Sequence, residues 1–146
     1  MKREEFLKTC GFGGFACLGG SVLGLMLEGC ATSGKSVTGV IEESDLVIPA
    51  ADFQIKDTFR KYVVVQHEKL KYPICVYRFS ETEYSALLLR CPHQGAELQV
   101  FGSRLQCPAH GSEFNNKGVV QNGPADTNLR TFPVTEHNHQ LYISLK

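Results

Sequence analysis

The sequence has no excess of charge of either sign and no run of three or more consecutive basic residues. It contains 15 Lys and Arg against 15 Asp and Glu, so the formal net charge at pH 7 is zero. A protein that tracks a phosphate backbone needs a concentration of positive charge. The composition therefore gives no reason to expect a nucleic acid partner.

Long helical patterns, internal repeats and low-complexity tracts are also missing. A chain of 146 residues leaves room for one modest domain, which excludes a large multidomain enzyme. Charged residues make up only 21% of the chain and hydrophobic residues 42%, which argues against disorder. The sequence contains no recognisable nucleophile–base pair and no residues that indicate a substrate pocket. We therefore do not expect this chain to be a catalyst by itself.

The first 30 residues have the pattern of a targeting segment. A charged start precedes residues 10–27, which carry no charge but include six glycines. The stretch is long enough to reach across a bilayer, yet its glycines weaken a membrane helix and suit the core of a signal peptide. Residues 1–30 are therefore predicted to be a signal peptide, with an uncleaved N-terminal membrane anchor as the alternative.

Two short motifs support export to the bacterial cell envelope. The residues Leu27-Glu28-Gly29-Cys30 resemble the lipobox of bacterial lipoproteins, which are cut before a cysteine that becomes lipidated. The opening, with Arg3 and the run Phe6-Leu7-Lys8, resembles a degenerate twin-arginine export signal. Both resemblances imply a membrane-associated protein on the periplasmic side or a lipoprotein. The export route stays open.

The residues after the targeting segment divide into a linker and a domain. Residues 31–45 are mostly small and polar, which predicts a flexible linker. From Leu46 onward the apolar residues fall in short runs of β-branched and aromatic types, none long enough for a packed helix. The domain, residues 46–146, is therefore predicted to be all-β. Its clearest strand runs are 46–48, 62–65, 74–77, 87–89 and 141–145.

Four potential metal ligands lie within one stretch that is rich in Gly and Pro. Such a stretch cannot be held in place by apolar burial alone. Cys91 and His93 form a C-x-H pair, and Cys107 and His110 form a C-x-x-H pair. Two thiolates and two imidazoles suit either zinc or an iron–sulfur cluster. A zinc finger groups like ligands together, whereas each passage here supplies one of each kind.

The two passages resemble the motif of the Rieske family, including its Pro and Gly positions, which are Pro92, Gly95, Pro108 and Gly111 here. The resemblance implies a fold of small antiparallel sheets with an inserted cluster-binding subdomain. It implies one Rieske-type 2Fe-2S cluster per chain, with Cys91 and Cys107 on one iron and His93 and His110 on the other. Residues 123–134 resemble the proline loop that covers the cluster in this family.

One departure from the family distinguishes its subtypes. The Rieske subunits of cytochrome bc complexes carry an extra Cys in each loop, and these two form a disulfide. Ala96 and Ala109 stand at those positions here. The site therefore resembles the disulfide-free type of Rieske ferredoxins and oxygenase domains, which lies at the low end of the potential range. That likeness conflicts with the envelope location, where soluble oxygenase partners are not expected.

The function expected from these resemblances is one-electron transfer in the cell envelope. The chain would be a tethered carrier, or the small Rieske subunit of an oxidoreductase such as a quinol-oxidising or molybdenum enzyme complex. Its partners would be a redox donor, a redox acceptor and the membrane. Two alternatives stay open: a zinc-stabilised binding module without redox function, and a lipoprotein whose cluster acts as a redox sensor.

Overall fold

The computed structural model describes residues 34–146, so the predicted targeting segment, residues 1–30, lies outside the described residues. In the described part the regular elements are strands and one short 3-10 turn, Ala50–Phe53, which confirms the all-β prediction. No helix in this part is long and apolar enough to cross a membrane. The strands are β1 Lys35–Thr38, β2 Val40–Glu42, β3 Asp45–Pro49, β4 Gln54–Ile55, β5 Thr58–Phe59, β6 Tyr62–Gln66, β7 Ile74–Arg78, β8 Tyr84–Leu88, β9 Gln99–Phe101, β10 Arg104–Gln106, β11 Glu113–Asn115, β12 Val120–Asn122, β13 Thr131–Phe132, β14 Val134–His137 and β15 Gln140–Ser144.

These strands form three sheets and a two-stranded hairpin of β4 and β5. The central sheet has the order β1-β6-β7-β8-β13, and the flanking sheet has the order β14-β15-β3-β2. The small sheet, β12-β11-β10-β9, contains the segment between the two predicted ligand passages. Neighbouring strands run antiparallel except β1 and β6, which are parallel. The architecture agrees with small antiparallel sheets and an inserted subdomain.

The central sheet is buried on both faces because β7 alternates two sets of apolar side chains. Ile74 and Val76 belong to the core shared with the flanking sheet. Cys75 and Tyr77 point the other way, into a second core shared with the small sheet. All four side chains are buried. The strand predicted at residues 74–77 therefore contributes to a separate core on each of its two faces.

The prediction of a flexible linker over residues 31–45 is wrong for the part that forms β1 and β2. Val37 is buried opposite Val65 of the central sheet, and Ile41 pairs with Leu46 of the flanking sheet. Small polar neighbours concealed these two apolar residues. Each strand instead completes the edge of a sheet, where backbone pairing stabilises it together with one or two apolar side chains.

The two ends of the central sheet are connected to different parts of the chain. At the end near Ile74 and Leu88, which we call the loop end, β8 leads into the first ligand passage. At the other end, which we call the Arg78 end, β1 begins beside β6 and the backbone of Arg78 donates to Lys61. The five residues of β7 separate the two ends by about 13 Å, given a rise of about 3.3 Å per residue.

Candidate metal centre

The first ligand passage is a tight loop closed by its own backbone. The N–H of Cys91 donates to the carbonyl of Ala96 over 2.8 Å, and the N–H of Gly95 donates to the carbonyl of Cys91 over 2.8 Å. Gly95 has a φ of 78°, which a residue with a side chain adopts only under strain. These bonds define the first loop, residues 91–96.

The second ligand passage repeats the same hydrogen-bond frame. Cys107 donates to the carbonyl of Ser112 over 2.8 Å, and Gly111, at φ 80°, donates to the carbonyl of Cys107 over 3.0 Å. The second loop, residues 107–112, therefore matches the first bond for bond. The histidine stands two residues after the cysteine in the first loop and three residues after it in the second.

The two loops bring like ligands together. Cys91 and Cys107 are buried and close enough for their thiols to hydrogen bond. His93 and His110 are exposed, and their ring centroids lie 5.1 Å apart with the planes nearly perpendicular, at 88°. The four predicted ligand residues thus form an inner cysteine pair and an outer histidine pair.

This pairing fits a two-iron cluster with unlike irons. Each iron of such a cluster takes two protein ligands, either two thiolates or two imidazoles. A structural zinc ion instead needs four donors around one point. The inner cysteine pair and the outer histidine pair would supply two like donors to each of two irons. The donor set therefore suits a 2Fe-2S cluster.

The surroundings of Cys91 place hydrogen-bond donors around its sulfur. Burial raises the pKa of the Cys91 thiol, and the neighbouring Cys107 raises it further. The backbone N–H of His93 and the hydroxyl of Ser112 act in the opposite direction and lower that pKa, because both stabilise negative charge on the sulfur. A metal would bind the deprotonated thiol, so these two donors favour the bound form.

Ser112 also joins the second loop to the segment that resembles the proline loop. Its side chain is fully buried, and its Oγ accepts a hydrogen bond from the backbone N–H of Ala125 over 2.9 Å. Accepting that bond leaves the hydroxyl proton available to the sulfur of Cys91. Ser112 therefore connects Ala125, the second loop and the first cysteine.

Tyr72 holds the first loop from the outside, and sequence reasoning did not find it. Its hydroxyl donates to the carbonyl of Gly95 over 2.7 Å, and the guanidinium of Arg90 lies 6.0 Å from its ring centroid. Tyr72 lies just before β7, in a segment that contains no recognisable motif, so the sequence alone does not indicate its role. The described cysteines, Cys75, Cys91 and Cys107, are all free. The hydrogen bond from Tyr72 to Gly95 therefore links the segment before β7 to the first loop where no disulfide does.

The chain belongs to the family of the Rieske [2Fe-2S] domain. The model of that family matches residues 44–133, which is more than half of the chain and includes both loops. The cofactor is accordingly a Rieske-type 2Fe-2S cluster. This result decides between the two metals that the residues alone left open, and it replaces the zinc-stabilised module.

Two of the curated relatives are oxygenase components, and both are much longer than the matched region. The chain is 36% identical over 81 residues to the oxygenase component of dicamba O-demethylase from Stenotrophomonas maltophilia, covering 49% of this chain and 24% of that protein. It is 30% identical over 88 residues to the oxygenase component of chloroacetanilide N-alkylformylase from Rhizorhabdus wittichii, covering 54% and 25%. The matched region thus spans about a quarter of each relative's length.

Solved structures show the same fold. A chain of the complex of reduced oxygenase and oxidized ferredoxin in carbazole 1,9a-dioxygenase matches with a TM-score of 0.51 and 25% identity, over 68% of this chain and 91% of that one. The cyanobacterial plasma membrane Rieske protein of Synechocystis matches with a TM-score of 0.50 and 24% identity, over 57% and 86%. The Rieske-like fold inferred from the sequence is confirmed.

Removing the hydroxyl of Ser112 should affect both stability and potential. In Ser112→Ala the buried N–H of Ala125 loses its acceptor, which costs about 1–3 kcal/mol. The sulfur of Cys91 also loses a donor, and donors to sulfur favour the reduced cluster, so the midpoint potential should fall. Chemical denaturation and a redox titration measure the two effects. Ser85→Ala, in β8, is the control, and an unchanged midpoint in Ser112→Ala would contradict the role.

Removing the hydroxyl of Tyr72 should loosen the first loop. Tyr72→Phe loses one hydrogen bond to Gly95, worth about 1 kcal/mol, while the ring stays in place. We expect faster loss of the visible absorption of the cluster during incubation with an iron chelator. Tyr84→Phe, which removes a hydroxyl bonded to Glu136, is the matched control. Equal loss rates in the two variants would show that Tyr72 does not hold the loop.

Proposed function

We propose that this chain is a one-electron carrier of the cell envelope, with Cys91, His93, Cys107 and His110 as the ligands of its 2Fe-2S cluster. The observation that carries the proposal is the buried cysteine pair beneath an exposed histidine pair. When bound, the cluster supplies a centre that accepts and releases one electron. The protein residues supply its position, its shielding and its contact with solvent.

The exposed histidines define the face that a redox partner would meet. His93 and His110 lie at the surface, whereas the cysteines are buried above apolar residues of the second core. Leu105 and Phe114, both fully buried, lie in the strands on either side of the second loop. A partner that docks over the histidines therefore approaches the cluster without displacing the core.

The envelope location rests on the N-terminal sequence. The uncharged stretch of residues 10–27 and the lipobox-like residues ending at Cys30 support export followed by attachment to the membrane. We propose residues 1–30 as the targeting segment and Cys30 as the point of lipid attachment. Fractionation of cells that express the full chain tests this location: the protein should stay with membranes at high salt and leave them only in detergent.

The partners proposed are a donor and an acceptor of single electrons. The relatives named above are oxygenase components, which supports pairing with a larger oxidoreductase. A quinol-oxidising or molybdenum enzyme complex in the envelope would combine such a partner with the proposed location. Ala96 and Ala109 leave the loops without the disulfide of the cytochrome bc type, which supports a potential toward the low end of the Rieske range.

An EPR-monitored redox titration of the purified full chain in detergent tests the electron-transfer function. A rhombic signal with the low average g value of a histidine-ligated cluster is expected in the reduced protein. The midpoint should lie within roughly −150 to +300 mV, the range of two-histidine clusters. A colourless protein that contains zinc would overturn the proposal.

A further inference from the structure

The Arg78 end of the central sheet carries exposed phenylalanine rings among basic side chains. Phe59 is 55% exposed and Phe79 is 37% exposed. The guanidinium of Arg78 lies 3.8 Å from the ring centroid of Phe59, and the ammonium of Lys117 lies 5.2 Å from that of Phe79. We call this region the basic aromatic surface. It comprises Phe59, Arg60, Lys61, Arg78, Phe79 and Lys117.

Positive charge exceeds negative charge on this surface. Two adjoining open cavities of about 340 and 330 Å³ share Lys61, Arg78 and Phe79 in their walls. Within the described residues, only Lys117 of the four basic side chains forms an ion pair, with Glu83 at 3.4 Å. Glu81 is the one acidic residue in the walls of these two cavities. The surface therefore has unused capacity for anions.

The chain enters the described region at this same end. β1 starts at Lys35, paired with Val63, and Gly34 packs so tightly against the ring of Tyr62 that no side chain would fit there. Only four residue steps separate Gly34 from Cys30, which reach at most about 14 Å. A lipid on Cys30 would thus hold the Arg78 end close to the membrane.

We propose that the basic aromatic surface rests on the membrane, with its cations against anionic phospholipid headgroups and its phenylalanine rings at the interface. The proposal rests on the membrane attachment in the proposed function. Basic side chains near a membrane are attracted to anionic lipid, and aromatic rings lie favourably at headgroup level. In this orientation the loop end, with both histidines, points away from the membrane and is free to meet a redox partner.

The alternative occupant is an acidic partner protein, which the same charges would attract. The short tether favours the membrane, because it keeps this end within reach of headgroups whether or not a partner is present. A surface that faces the headgroups would also be poorly placed to receive a large soluble protein. The experiment must therefore distinguish lipid contact from protein contact.

Tryptophan fluorescence gives a direct test, because the sequence contains no tryptophan. Phe79→Trp places a single reporter on the surface of the full chain, reconstituted in vesicles that contain brominated phosphatidylglycerol. Val40→Trp is the matched control, since Val40 is 60% exposed and follows the opposite end of β1. We expect roughly twofold or stronger quenching of the Phe79→Trp reporter and little quenching of the control, because only the first lies at the headgroups.

A charge reversal tests the electrostatic part. Lys61→Glu, combined with Phe79→Trp, should reduce the quenching, whereas Lys69→Glu, on the turn at the loop end, should leave it unchanged. Replacing phosphatidylglycerol by phosphatidylcholine as the brominated lipid should have the same effect as Lys61→Glu. Equal responses to the two lysine changes would overturn the role of this surface.

The outcomes separate this proposal from the proposed function. A chain that stays in the vesicles with an unquenched Phe79→Trp reporter, or with equal quenching at both positions, overturns the orientation and leaves the surface to an acidic protein. A chain that does not stay with the vesicles overturns the membrane attachment as well. The EPR signal of the same samples reports on electron transfer independently of either result.

Discussion

Replacing Cys107 by serine is expected to abolish the 2Fe-2S cluster. A serine hydroxyl is a poor ligand for iron at neutral pH, and the inner pair would keep only Cys91. The loss should be nearly complete, because the iron that takes two thiolates would keep only one of its two protein ligands. Visible absorption and iron analysis of the purified protein measure the effect.

Cys75 provides a matched control for this variant. It is also fully buried, but it lies in β7, and burial raises the pKa of its thiol far above the ordinary value, so it stays protonated. Cys75→Ala should lower stability and keep a full cluster. If Cys107→Ser retained the spectrum of the original protein, or if Cys75→Ala lost the cluster, the ligand assignment would be wrong.

The second large effect is expected when His93 is replaced by cysteine. The outer iron would exchange a neutral imidazole for a thiolate, and the added negative charge disfavours the reduced cluster. Two-histidine clusters have potentials of roughly −150 to +300 mV, against about −400 mV for plant-type clusters with four cysteines. The midpoint of His93→Cys should therefore fall by a few hundred millivolts or less while iron is retained.

The control for this variant is His137→Cys, at the exposed end of β14, which introduces a thiol far along the chain from both loops. Its midpoint should not change. EPR gives a second readout, since loss of one histidine should raise the average g value toward that of cysteine-ligated clusters. An unchanged midpoint and spectrum in His93→Cys would show that His93 does not bind the iron.

The ligand passages could be predicted from the sequence because cluster binding constrains local residue types. Cysteine, histidine, proline and glycine must stand at fixed offsets, and the φ of 78° at Gly95 and 80° at Gly111 shows why glycine is required there. β7 could also be predicted from the sequence, since it is a continuous apolar run whose side chains are buried on both faces of the sheet. Such features depend on residues that are close in the sequence.

The features that the sequence did not reveal depend on distant partners. Tyr72 acquires its role only when the fold brings it to Gly95, 23 residues later. Ser112 stands close to the second ligand pair in the sequence, but its bond to Ala125 depends on a segment 13 residues away. The sequence of β1 and β2 resembles a linker because each strand contributes few apolar side chains. Their stability comes from backbone pairing with β6 and β3, which composition does not record.

β1 and β2 also determine how much of the chain is needed for a protein that does not self-associate. The match to the Rieske family starts at residue 44, after both strands. A chain shortened to begin there would expose the open backbone of β6 in one sheet and of β3 in the other. Unpaired strand edges recruit further copies through intermolecular pairing. β1 and β2 are edges themselves, but at four and three residues they are shorter than the five-residue strands β6 and β3, so trimming the molecule to the limits of its family would exchange short edges for longer ones.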